Sequence, residues 1–267
     1  MPMMIKFCGP ASLDEVEKKN LANFSDHIEA TFRQDQVVEV KQWRKVNYGV
    51  RDYIDHIFSI FENHFKVLFY VLTDHLTTTS IRDTFKGIPI TYMDNGQNLS
   101  LPREYSKQLM NDLEPAKKRM IHDFEYREPE DNVLLSGNFD SLILFCNLTV
   151  DQLLLTNSNH IEVNGNFSNK SLNRFLKYWI AGGYRRLRWA NFLVSEVHTL
   201  NLEEIMKGIR YIPMPPDEIR RFPTNEDEPM CYYRVSNGLD IKGKDGIKAT
   251  VEFMIENSNT VTIYIWH

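Results

Sequence analysis

The densest run of residues able to do chemistry lies between Arg174 and Trp189, where Arg174, Lys177, Tyr178, Trp179, Tyr184, Arg185, Arg186, Arg188 and Trp189 crowd together. A guanidinium grips a carboxylate or phosphate through two parallel N–H donors, and Arg and Trp are enriched where proteins bind proteins. Interleaved basic and aromatic side chains also stack nucleic-acid bases. Part of the run has a plainer assignment. Trp179 falls on the apolar side of a helical pattern, and Trp189 alternates inward with Leu187 along a strand read over residues 186–194. That leaves Arg174, Lys177, Arg185, Arg186 and Arg188 as the candidate partner-binding residues. In such a strand Arg186 and Arg188 share one face and Leu187 and Trp189 the other.

Other chemistries find little footing. The eight histidines are scattered, with no HxxxH, HExxH or CxxC spacing to put metal ligands on one face, so no metal is expected. There is no G-x-S-x-G elbow, and Cys146, in an apolar run, reads as a small buried hydrophobe. Glu203 and Glu204 are accounted for by a helix N-terminus. Gly243-Lys244-Asp245-Gly246 lacks the Walker spacing and a following helix, so it reads as a hairpin turn rather than a phosphate cradle. The expectation is a chain that is not an enzyme and uses no cofactor. Its formal net charge of −5 disfavours nucleic acid and anionic membrane as general partners. Three cysteines far apart, and an N-terminus that turns charged too early for a secretion signal, point to a reducing, intracellular compartment, cytoplasmic or nuclear.

The elements that must hold these residues emerge from periodicity. Residues 1–49 are polar and irregular, with a weak amphipathic helix over Leu13–Ile28. Val50, Ile54, Ile57, Phe58 and Phe61 make a helical stripe over residues 48–62, and residues 65–72 read as a buried strand. Residues 74–102 read as loops with one short strand near residues 88–92. A helix is predicted over 103–125, interrupted at Pro115. Residues 126–132 (YREPEDN) form the expected boundary.

Beyond it the pattern alternates strand and helix: a strand at 141–146, a capping box at Thr149 and Gln152, a strand at 160–164, and a helix capped by Ser168. Gly182 and Gly183 stop that helix, the strand at 186–194 follows, and Asn201 caps a third helix. Strand starts about 20–27 residues apart have the period of leucine-rich-type repeats. Leu142-x-Leu144-x-x-Asn147 and Ile161-x-Val163-x-x-Asn166 share one template. Strands at 232–235, 248–256 and 260–266 then read as an antiparallel meander. The fold class is α/β, a leucine-rich-repeat-like stack of short strands and helices with a C-terminal antiparallel β meander.

Within this frame, residues 148–194 resemble the type 2 F-box-associated domain, an expanded family found in nematodes. The core of the resemblance is Ser171, Leu172, Asn173, Phe175, Leu176, Lys177, Trp179, Ile180 and Gly182, followed by Arg186 and Leu187. A second motif follows in the right order, at Leu239, Asp240, Ile241, Lys244, Asp245, Gly246, Ala249 and Thr250. Pattern and resemblance together give three regions: an irregular segment 1–47, a helix–strand–helix region 48–125, and a domain 126–267 that resembles the associated type. The resemblance implies a non-catalytic protein-recognition module, the substrate-binding part of an F-box ubiquitin-ligase receptor, with an as yet unnamed target protein. Residues 1–47 lack the Leu-Pro opening and leucine-rich three-helix pattern of an F-box, so binding to a Skp-type adaptor is expected to be weak or absent. The alternative is a nucleic-acid-binding module using the Arg174–Trp189 patch.

Overall fold

The computed structural model describes residues 3–8, 27–34, 37–43, 48–61, 67–70, 76–88, 90–94, 102–113, 118–122, 132, 135–165, 167–194, 200–223, 232–254 and 259–267. The chain divides into two compact units, one of Met1–Thr91 with Asn98–Glu114 and the other of Tyr92–Gln97 with Pro115–His267.

In the first unit, β1 (Met3–Cys8), β2 (His27–Gln34) and β3 (Val37–Trp43) pair antiparallel in chain order. This corrects the expectation of an irregular start. Ile28, Ala30 and Phe32 alternate with polar residues at period two, the strand period rather than the helical one. The helix expected over Leu13–Ile28 lies mostly outside the described residues. Helix α1 (Val50–Phe61) matches its apolar stripe, burying Val50, Tyr53 and Ile54, and β4 (Val67–Tyr70) follows.

The region expected to be loop contains α2 (Thr78–Phe85). Its start is fixed by Thr77, whose side chain accepts from the Ser80 N–H, and Ile81 and Phe85 are buried one turn apart. The Thr-rich first turn has poor intrinsic propensity, so packing rather than local preference makes this helix. Helix α3 (Arg103–Asp112) is shorter than predicted.

The second unit is built on a mixed sheet. It contains the Tyr92–Asp94 part of β5 (Ile90–Asp94), then β6 (Lys118–His122), β7 (Ser141–Phe145), β8 (His160–Gly165) and β9 (Trp189–Val194), all parallel. Strand β6 stands where the predicted helix 103–125 was to continue. Helices α4 (Val150–Leu153), α5 (Asn169–Ile180) and α6 (Leu202–Ile205) fall between or after these strands. The chain then makes β10 (Ile212–Pro213), β11 (Arg220–Pro223), β12 (Tyr232–Val235), β13 (Leu239–Lys242), β14 (Lys248–Met254) and β15 (Thr260–Trp266).

Strand β15 joins β9 antiparallel and is followed outward by β14, β13 and β10. The expected meander is present, with β13 rather than β12 as its first strand. Strand β12 instead pairs with β11 as a separate two-stranded ribbon. The fold is therefore mixed α/β, with a large mixed sheet and few helices.

Strand alternation gives the sheet two unlike faces. On one, Ile121, Leu144, Val163, Phe192 and Val261 form a buried row in register across five strands. A second row joins Leu142, Ile161, Ala190, Ile263 and Val251. Helix α5 closes this face. Leu172, Phe175, Leu176 and Trp179 fall at its apolar spacing and are buried, and the Phe175 ring meets the Phe192 ring edge-on at 4.9 Å. The capping box at Thr149 and Gln152 and the Ser168 cap both form as read, and Gly182 takes a φ of +97° that favours glycine. Gly165 is required for a different reason, since a Cβ there would stand 2.6 Å from the Cys146 carbonyl oxygen.

Phe175 is fully buried and Trp179 nearly so. Truncating either to Ala is expected to cost ~3–5 kcal/mol of unfolding free energy, the range for large aromatic deletions in packed interiors. Urea denaturation of the two variants checks this, and an unchanged midpoint would mean that α5 does not close the sheet.

Candidate functional site

The structure disperses the predicted basic cluster. Arg174 projects from α5 and makes a two-pronged ion pair with Asp151 at the start of α4, with nitrogen–oxygen distances of 2.6 and 3.2 Å. Lys177 is exposed on the same helix and lies beside Gly208. Arg185, Arg186 and Arg188 precede β9 instead of belonging to it, because the Leu187 N–H closes a turn onto the Tyr184 carbonyl. The backbone N–H groups of both Arg188 and Trp189 then donate to the Asn159 carbonyl. This corrects the strand read from residue 186, and with it the alternation of Arg186 and Arg188 against Leu187 and Trp189.

What holds the arginines is a turn rather than a pleat. Arg185 and Arg188 are exposed, while Arg186 donates weakly to the Asn157 carbonyl at 3.4 Å and stands 3.8 Å from Asp140. The anchor of this turn is Tyr184, at a left-handed φ of 53°. Its ring packs 5.2 Å from Phe175, and its hydroxyl donates to the Leu153 carbonyl and accepts from Thr156. Burial pushes the Tyr184 phenol well above its ordinary value of 10. The three arginines thus form a positive edge at the N-terminal end of β9, apart from Arg174 and Lys177 on the helix.

The two separated sequence motifs meet in space. The Lys244 N–H donates to the Ile180 carbonyl at 2.8 Å, so the Gly243–Gly246 turn caps the C-terminus of α5. Asn173, at the centre of the first motif, donates to the carbonyls of Ile205 and Lys207 at 2.6 and 2.9 Å and so holds the end of α6. These motif residues position elements rather than face outward.

Residues 132–192 match the F-box associated family model. No curated protein and no solved structure matches the chain. The matched segment spans β7, α4, β8, α5 and most of β9, the part of the sheet closed by α5.

The other face of this segment escaped the sequence reading. One register row runs Ser141, His160, Trp189, Tyr264, Thr250, Asp240, and the next runs Ile143, Glu162, Asn191, Thr262, Glu252. Over β13–β15 the β11–β12 ribbon covers it, packing Phe222 and Val235 with Met214 and Tyr264. Over β7–β9 the residues of this face are only half-buried, and Leu193 is exposed. Trp189 lies here, stacked on Tyr233 of the ribbon with centroids 5.7 Å apart and planes 4° from parallel. The signal that could have revealed this face was the polar alternation His160-x-Glu162-x-Asn164, which a purely apolar template passes over.

Under the ribbon Arg220, Asp240 and Thr250 are tied down. Arg220 makes a bidentate pair with Asp240 at 2.7 and 2.8 Å and also meets Glu218 at 2.7 Å. Thr250 donates to Asp240 and accepts from the Trp266 indole. Burial raises the Asp240 carboxyl, but the bonds from Arg220 and Thr250 and the charges of Arg220 and Lys248 outweigh it and hold the group below its ordinary 3.8. Among the described residues no three His, Cys, Asp or Glu side chains are grouped to hold a metal ion, and no helix is long and apolar enough to cross a membrane.

A depressed carboxyl pKa contributes stability that is fully present above the unfolded value and is lost as pH falls through the folded one. Asp240→Asn is therefore expected to lower unfolding free energy by ~1–3 kcal/mol at neutral pH, the cost of leaving a charged donor unmatched. The gap from wild type should close as pH drops below 3.8. Denaturant midpoints of both proteins across acid pH check this.

Proposed function

We propose that the chain is a non-catalytic protein-recognition module, acting as the substrate-binding part of an F-box-type ubiquitin-ligase receptor. In this role it supplies shape and contacts while a separate ligase supplies the chemistry. The observation that carries the reading is the F-box associated match at residues 132–192, which falls on a sheet closed by a helix on one face and open on the other. The parallel run from β5 to β9 steps one neighbour at a time in chain order, which favours a leucine-rich-like stack. The buried thiol of Cys146 suits a reducing interior.

The positive edge at Arg185, Arg186 and Arg188 is the proposed contact for acidic groups on the target, with Arg174 and Lys177 on α5 as separate basic contacts. The nucleic-acid reading requires basic and aromatic groups interleaved on one surface. Trp179 packs with α5 on the closed face and Trp189 lies on the opposite one, so the protein target is preferred. Adaptor binding is weak or absent in this reading. The described segments within residues 1–47 are strands, whereas an F-box presents a three-helix surface.

Proximity labelling with the full chain tests the reading. The double variant Arg186→Glu, Arg188→Glu is expected to lose the labelled targets while shifting stability by no more than ~1 kcal/mol, since Arg188 is exposed and the Arg186–Asp140 pair is a partly solvated surface one. Unchanged labelling would reduce the edge to a solvated surface. Tight single-stranded RNA or DNA binding with a steep salt dependence would replace the protein target by nucleic acid. Titration with a purified Skp-type adaptor is expected to show no sub-micromolar complex, and such a complex would overturn the adaptor statement.

A further inference from the structure

The open face of β7–β9 carries a carboxylate with no cation of its own. Glu162 lies in mid-strand on β8, half-buried, and its bond is to the side-chain amide of Asn164 at 3.0 Å. It makes no salt bridge among the described residues. Cations near this face are directed elsewhere: Arg220 is paired with Asp240 and Glu218, and the Arg221 guanidinium lies 4.6 Å over the Tyr232 ring. Lys118 stands two strands away across β7, in the row of His160, and the β6 residue in register with Glu162 is Met120.

Beside Glu162 is an aromatic platform. Trp189 lies on the same face of the neighbouring strand, one row along, since His160 pairs with Trp189 and Glu162 with Asn191. Tyr233 stacks flat on Trp189 and is itself 41% exposed. A ring whose one face is held by an indole can present the other without losing freedom on binding. Trp189 links the two groups, since Tyr233 stacks on it and Glu162 stands one row along on the adjacent strand. Burial, with the Glu162 charge adding to it, pushes the Tyr233 phenol upward.

A planar cation between a ring face and a carboxylate satisfies both: it stacks on the ring and donates two N–H bonds to the oxygens. An ammonium can do only part of this, because it has no plane to stack and no fixed fork. Residues on the same face also offer amides at Asn191 and Asn164, suited to the backbone groups flanking an extended side chain.

We propose that Glu162 and the outer face of Tyr233 receive the guanidinium of an arginine in an extended segment of the target protein. This deepens the recognition reading and rests on it. The site is distinct from the positive edge, so a target would present an arginine for this face and acidic groups for Arg185, Arg186 and Arg188.

The test uses the full chain labelled with nitrogen-15 and a defined probe, the peptide acetyl-Val-Thr-Arg-Thr-Val-amide. The Trp189 indole resonance, assigned with Trp189→Phe, is expected to shift saturably. Replacing arginine by citrulline, which keeps the shape and removes the charge, should weaken binding about tenfold or more, equivalent to about 1.4 kcal/mol. Glu162→Gln and Tyr233→Ala should each weaken the arginine peptide to a similar extent, and a lysine peptide should bind more weakly than the arginine one. No saturable shift, or equal binding of the citrulline peptide, or equal binding by Glu162→Gln, would overturn the site. If the peptide fails while the Arg186, Arg188 reversal still abolishes labelling, the arginine site falls and the recognition reading stands. If the peptide binds as expected and the full chain labels no protein, the arginine site stands and the recognition reading falls.

Discussion

The packing of α5 on the mixed sheet decides which face of the second unit is interior and which is open. Strand side chains alternate, so once Phe175 is seated on Phe192, the rows through Leu142 and Leu144 are committed to the core. The rows through His160 and Glu162 are then committed to the other side. A slip of one residue in any strand would exchange the two sets. Three contacts pin the helix against such a slip: the Ser168 cap at its start, the Lys244 bond at its end, and the Asn173 bonds to α6 at its middle.

Those contacts explain why the recognisable motifs are recognisable. Leu172, Phe175, Leu176 and Trp179 are buried, Asn173 is used up on backbone carbonyls, and the Asp245–Gly246 turn serves the end of α5. Each residue does a structural job that few other types could do. Such residues maintain the scaffold, and the proposed partner contacts lie elsewhere, in the turn after Tyr184 and at the strand positions between the core ones.

Local signals were legible where one physical rule dominates. The caps at Thr149, Ser168 and Asn201, the stop at Gly182 and the apolar rows of β7 and β8 follow from hydrogen bonding and periodicity over a few residues. What failed was set by distant partners. Strand β6 exists because Lys118–His122 pairs with β7, although its neighbourhood reads as helix. The start of β9 is delayed because the Asn159 carbonyl takes two N–H groups and the Tyr184 turn claims another. Tyr184 itself, in a left-handed conformation and bonded to Leu153 and Thr156, has no short-range signature at all. The open face was missed for a related reason, since its meaning depends on which side α5 occupies.

The charges proposed for recognition stand at different places on this unit, and their placement shapes the proposed recognition. Arg185, Arg186 and Arg188 sit at the rim where β9 begins, while Glu162 stands one row inside the open face, next to the stacked Trp189 and Tyr233. A single exposed ion pair contributes only ~0–1 kcal/mol, because water competes for both charges. Neither feature alone would hold a partner. An aromatic platform changes this locally, since covering it excludes water from the adjacent carboxylate and strengthens the attraction there. In the proposed recognition, affinity would come from apolar area over Trp189 and Tyr233, and selectivity from the order of charges along the partner chain. A segment with arginine and acidic groups in the opposite order would set like charges against each other at both positions, which is how such a surface would reject as well as bind.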